Sequence, residues 1–197
     1  MFPELELREG WVTVLCLLLV LLCVAWSIQV ARWIDDGLSI LQGMVVLGGV
    51  VGIVLAKSRV PNRLAHLLSV LGGFTWGAFL ASGVLARASD LSTAAAVVDL
   101  ERRLRVLVQL LFNEGLKADN YVFLVLLAFL LWILAYFCAW AIFRWQRVWW
   151  AVVVSGVAMM LNINYAHARL TGFLIAFLLF SLLLVVRASL AFYEQEW

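Results

Sequence analysis

Six charge-free apolar runs, at 10–31, 37–56, 64–86, 120–143, 148–168 and 170–186, take up most of this 197-residue chain. Each is about the length a helix needs to cross a hydrocarbon core, roughly 20 residues at about 1.5 Å of rise per residue. The runs decide the solvent before any other question is asked. Hydrophobic residues make up 66% of the sequence, against about 45–50% in soluble domains. Charged residues make up only 13%. Little polypeptide is left to perform chemistry in water.

Lipid offers no partner for a backbone N–H or C=O, so a spanning segment must be a helix or part of a closed barrel. The runs lack period-2 alternation, which excludes a barrel. The sequence therefore predicts an all-α integral membrane protein, one polytopic domain over 1–197. Its spanning helices are expected at 11–31, 38–57, 64–86, 120–143, 148–165 and 170–190. Glu4, Glu6 and Glu9 make the leading segment acidic, where a cleavable signal has a basic n-region. The first run is too long for a signal's apolar region, and no A-x-A site follows it. It reads as a retained signal-anchor helix.

Basic residues in short loops set the orientation. One side holds Arg8, Lys57, Arg59, Arg63, Arg144, Arg147 and Arg187; the other side's short loops hold Arg32 and Arg169. The expectation is N-terminus in and C-terminus in, both on the cytoplasmic side. Trp11, Trp33, Trp145, Trp149 and Trp150 fall at the expected interfaces, where indoles are favoured. Trp76 and Trp132 fall nearer mid-membrane and are expected to fill the bundle interior. Stacking on a peripheral pigment, quinone or lipid is the alternative, and no resident cofactor is expected.

The segment between the third and fourth spans differs in kind. Val97, Leu100, Leu104, Leu107, Val108 and Leu111 share one helical face; Arg102, Arg105, Gln109 and Asn113 share the opposite one. An amphipathic helix at about 91–115, lying on the outer membrane surface, is expected. A helix capping the bundle is the structural alternative.

Small residues let helices approach closely in lipid. Gly48 and Gly52 in the second span, and Gly73 and Gly77 in the third, have that spacing. They predict tight packing of these two helices on each other. Gln29, Gln42, Asn162, Asn164 and His167 all map towards the outer half, as a polar cluster lining a small vestibule or as local caps of helix ends. No run carries Glu, Asp or Lys near its midpoint, and proton-coupled carriers usually do. A small transporter is thus the third functional reading.

The two histidines, His66 and His167, are candidate ligands for a pigment or haem, but both sit near expected helix ends. Cys16, Cys23 and Cys138 lie inside apolar runs, where a thiol behaves as a small hydrophobe. Ligand spacing for a metal is absent. There is no G-x-S-x-G, H-E-x-x-H or phosphate loop, so no enzymatic activity is expected of this chain alone. The net charge of +2 and the lack of a Lys/Arg run argue against nucleic acid.

The order of segments resembles a known group. The stretches are LREGWVTVLCLLLVLLCVAWSIQVARW, LAKSRVPNRLAHLL, the amphipathic segment, DNYVFLVLLAFLLWILAYFCAWAIFRWQRVWWAVV and LNINYAHARLTGFLIAFLLFSLLLVVRASL. Together they resemble the N-terminal membrane region of bacterial transglutaminase-like membrane proteins, the group with a TgpA-type membrane region. The resemblance implies a further spanning helix and an extracytoplasmic papain-like domain with a Cys-His-Asp triad, beyond the residues given. No residue of this chain matches the triad. The function implied is a non-catalytic membrane anchor or scaffold. The alternative is a structural accessory subunit of a larger photosynthetic or respiratory complex. Expected partners are the lipid bilayer and other membrane subunits.

Overall fold

A computed structural model describes residues 10–34, 36–112 and 119–193, with side chains for all of these except 107–112, 192 and 193. Among the described residues there are seven helices and no strand: α1 (Trp11–Ala31), α2 (Ile40–Lys57), α3 (Asn62–Ser89), α4 (Thr93–Phe112), α5 (Asn120–Phe143), α6 (Val148–Tyr165) and α7 (Thr171–Tyr193). All but α4 are long and apolar enough to cross a membrane. The chain is thus a multi-pass membrane protein by the length and composition of its helices. The third span is longer than its charge-free run, because Asn62 and Arg63 join at one end and Arg87, Ala88 and Ser89 at the other.

Helix ends follow from local chemistry. The Asp119 carboxylate caps α5, its Oδ1 accepting from Tyr121 N at 2.9 Å and Val122 N at 3.2 Å. Arg32 after α1 and Asp90 after α3 take left-handed backbone angles, φ 50° and 52°. Gly37 turns the chain into α2 with φ +90°, and a Cβ there would lie 2.7 Å from Leu124 Cδ2. Both its dihedral and its packing require glycine.

α5 is the axis of the bundle. It touches α1, α2, α3, α4 and α6, and it is the most enclosed of the six candidate spans. α1 forms a second centre between α2, α6 and α7. α7 is the least enclosed span. The core is made of Leu17, Leu21 and Val24 on α1, Leu41 and Met44 on α2, Leu124, Ala128 and Ala135 on α5, and Met159 on α6.

Gly48, Gly52 and Gly73 depart from expectation in the partner they serve, whereas Gly77 lies against Met44 of α2 as well as Ala128 of α5. α2 and α3 do meet, but the faces of those three glycines are cut to fit α5. A Cβ on Gly48 would lie 2.9 Å from Trp132 O, and one on Gly52 would lie 2.7 Å from Ala139 Cβ. One on Gly73 would lie 2.7 Å from Trp132 Cγ; Gly77 faces Met44 and Ala128. The reasons differ between the neighbours: at Gly73 the Trp132 indole needs the space, and at Gly48 and Gly52 the α5 backbone itself comes close, at Trp132 O and Tyr136 O. Trp132 is buried as expected, but Trp76 is 39% exposed and lies against Phe79. The inward face of α3 is occupied by Ser69, Gly73 and Gly77, which leaves Trp76 on an outward face.

α4 packs on α3 and on the start of α5. Ala96 and Leu100 are buried and Leu104 partly so, whereas Val97, expected on that face, is 44% exposed. Arg102 and Arg105 are exposed. The side chains of Leu107, Val108, Gln109 and Leu111, and all of Asn113, lie outside the described residues.

Described carboxylates mark one end of the bundle, although Arg32, Arg87, Arg102, Arg103, Arg105 and Arg169 lie there too. Among the described residues, Asp36, Asp90, Asp99, Glu101 and Asp119 all lie at one end or on α4. The opposite end carries Lys57, Arg59, Arg63, Arg144, Arg147 and Arg187, and no described carboxylate. These are called below the acidic and the basic end.

Candidate functional site: a polar and aromatic seam along α5

Trp132, Tyr136, Trp140 and Arg144 recur every four residues and so form one column on α5 and its C-terminal cap. On one flank the column meets Gly48, Gly52 and Ala56 of α2. On the other it meets Gly73, Ser69, His66 and Asn62 of α3. Large groups on the axis thus face small or polar groups on both neighbours.

The seam is hydrogen-bonded at each level. Trp132 Nε1 donates to Ser69 O at 3.0 Å, with Ser69 Oγ at 3.2 Å. One turn on, His66 Nδ1 and Tyr136 OH are 2.8 Å apart, and the His66 ring lies 4.7 Å from that of Trp140. At the basic end, Arg144 donates to Ala56 O at 3.1 Å, Ser58 O at 3.2 Å and Asn62 Oδ1 at 3.2 Å. Its guanidinium also lies 5.6 Å over the Trp140 ring. One arginine therefore satisfies carbonyls at the end of α2, where a helix leaves them unpaired, and pins the 58–61 loop to the 144–147 loop. Trp140 Nε1 is buried without a partner among the described residues.

The expected outer cluster separates into two pairings. Gln42 Nε2 donates to Gln29 Oε1 on the α1–α2 seam. On the α1–α6 seam, Asn162 Nδ2 donates to Ser27 Oγ at 2.8 Å and Asn162 Oδ1 accepts from Trp33 Nε1 at 2.9 Å. Ser27 and Gln29 are two residues apart, about 200° around the helix, so the two pairs face different neighbours. Asn164 and His167 are exposed and join neither. His66 is tied to Tyr136, and the two histidines belong to different helix ends.

α4 is fastened by charge. Arg103 donates to Asp99 Oδ2 at 2.8 Å and to Asp119 Oδ2 at 2.7 Å, and lies 5.7 Å over the Tyr121 ring. Arg102 also pairs with Asp99. Burial pushes the Asp119 carboxyl up, but the hydrogen bonds from Arg103, Val122 N and Tyr121 N outweigh it and hold it below the usual range. Bonds from Arg102 and then Arg103 do the same for Asp99.

The three cysteines are buried and in no disulfide; Cys138 Sγ donates to Ala151 O at 3.6 Å. No group of three or more His, Cys, Asp or Glu able to hold a metal occurs among the described residues. Sequence reasoning missed Ser27, Tyr136, Arg144, and the Arg103–Asp119 pair. Only the four-residue spacing of the α5 column was a visible signal for any of these. No family model, curated protein or solved structure matches the chain.

Proposed function

We propose that this chain is the non-catalytic membrane anchor and scaffold of a larger bacterial inner-membrane protein, similar to the membrane part of a transglutaminase-like protein. One observation carries the reading. Four sets of polar side chains in or beside the spans are engaged with one another across helix seams: Ser27–Asn162–Trp33, Gln29–Gln42, Ser69–Trp132 and His66–Tyr136. Such bonds are worth about 0.6–2 kcal/mol each in a bilayer. They fix helix positions, which a scaffold needs and a moving carrier has to break.

In this reading the basic end faces the cytoplasm, by the positive-inside rule. α4 lies along the outer surface, with Arg103 holding it to the start of α5. No catalytic role is assigned to any residue of the chain. A structural subunit of a larger complex is the second reading, supported by the broad uncovered face of α7, where Leu178, Leu179, Leu182, Leu183 and Val186 are all exposed.

The test is mild detergent extraction from native membranes, with intact-mass analysis and sizing. The anchor reading expects a polypeptide heavier than 22.1 kDa, carrying an extracytoplasmic catalytic domain. A 22.1 kDa chain bound to other subunits favours the second reading. A lone chain of that mass that takes up solute in proteoliposomes overturns both. Single cysteines placed at Arg59 and Asn164 give the orientation. Labelling of the Arg59 site in intact cells by an impermeant reagent overturns it.

A further inference from the structure

The lipid-facing flank of α3 presents groups in the order in which a phospholipid presents its own. We propose that this flank, at the basic end, is a binding site for one anionic glycerophospholipid. Arg59 and Arg63 hold the phosphate, His66 donates to or is bridged by the ester region, and Val70 and Leu71 bed the acyl chain.

Arg59 and Arg63 are exposed, and neither pairs with a carboxylate among the described residues. Arg144 pins the 58–61 loop to the 144–147 loop, which brings exposed Arg147 to the same end. Exposed Arg59, Arg63 and Arg147 place three guanidinium groups at this end, which favour an anionic headgroup over a zwitterion. Trp145, Trp149 and Trp150 are exposed at the same end of the bundle, the indole belt of a headgroup region.

His66 follows Arg63 by three residues, on the same side of the helix and about 4.5 Å deeper. Tyr136 engages its Nδ1, which fixes the ring; Nε2 has no partner among the described residues. A polar ring edge exposed to lipid is costly unless it is hydrogen-bonded. The ester carbonyls of a lipid whose phosphate sits on Arg63 lie at that depth. Below His66, Leu67, Val70 and Leu71 are exposed, and Phe74 packs edge-on against Phe129, giving an apolar bed for a chain. The site needs only that the basic end lies at a membrane surface and does not depend on which side that surface faces.

Native mass spectrometry and thermal melting of the detergent-purified chain test the proposal. The probes are phosphatidylglycerol, phosphatidylcholine and inorganic phosphate. Phosphatidylglycerol is expected to be retained as a single tight adduct and to raise the melting temperature, with phosphatidylcholine and phosphate weaker. Arg63→Gln is expected to lower the phosphatidylglycerol affinity about fivefold, and His66→Phe to lower it further in the Arg63→Gln background. Arg169→Gln, at the acidic end, leaves it unchanged. Because Arg63 makes no described structural contact, its variant reports on binding even if His66→Phe folds poorly. Equal retention of phosphatidylcholine, equal protection by inorganic phosphate, or an unaltered Arg63→Gln variant overturns the proposal.

Discussion

The indole of Trp132 lies across α3 where Gly73 leaves out a side chain, and donates its N–H to Ser69 one turn away. Gly72 is the next residue and has nothing within 4 Å of its missing Cβ. The pair gives predictions of opposite sign. Gly73→Ala forces the indole or the helix to move and is expected to cost about 1–3 kcal/mol. Gly72→Ala removes a flexible residue without a clash and is expected to be neutral or to stabilise by up to about 1 kcal/mol. Thermal unfolding in detergent separates the two. Equal effects would remove the α5 column as the organising feature.

The positions of the helices could be read from the sequence because charge-free length is a direct consequence of the hydrocarbon core. Which helix packs on which could not. Gly48, Gly52, Gly73 and Gly77 announce close approach, but spacing within one helix carries no address for the other. The address lay in α5, where Trp132, Tyr136 and Trp140 recur on the same face. The polar residues were legible as unusual, yet their grouping was not. Gln29 and Asn162 map to the same depth but to different seams. Ser27 attracted no notice because a serine in an apolar helix is most often bonded to its own backbone. Ser27 does bond to Val24 O, at 2.7 Å, while also accepting from Asn162.

Asn162 is the hinge point of the α1–α6 seam, accepting from Trp33 and donating to Ser27. Asn162→Leu is expected to cost about 1–3 kcal/mol, because it leaves a buried hydroxyl without its donor and frees an indole N–H. Trp33 should then lose its fixed position over Phe123, 6.3 Å away, which its fluorescence would register. Asn164→Leu, at an exposed site, is expected to change stability by less than about 0.5 kcal/mol. An equal loss in both variants would mean that depth alone, and not the bond network, sets the cost.

Gly37 tests the turn between α1 and α2. Its φ of +90° and the 2.7 Å approach of Leu124 to a Cβ act in the same direction. Gly37→Ala is expected to destabilise by about 1–3 kcal/mol. Trimming one neighbour in Gly37→Ala/Leu124→Ala leaves Val84 Cγ1 2.9 Å from the new Cβ and leaves the dihedral, so at most part of the loss is recovered. Full recovery would show that neither Val84 nor the backbone angle contributes.

Asp119 joins two roles, capping α5 and accepting from Arg103 of α4. Its carboxyl is held below the usual range when folded, so the unfolded chain takes up a proton at higher pH than the folded one. The stability it contributes is therefore complete above the ordinary carboxylate range, about pH 4. It is lost as pH falls through the lower, folded value. Asp99 shifts in the same direction, so the two act over one window. α4 is expected to loosen from α5 in that acid window, well before the apolar spans respond. A nitroxide pair on Val98 and Phe123 would report the release as a broadened distance distribution. Asp119→Asn keeps the side-chain oxygen that caps the helix but loses the charge, and it should show the loosened distribution already at neutral pH. Arg103→Gln should do the same and reduce the acid dependence to the part held by Arg102 and by the Tyr121 and Val122 N–H groups. A distance that stays sharp through acid pH in the native chain would mean that α4 is held by Ala96 and Leu100 packing, and the ion pair is incidental.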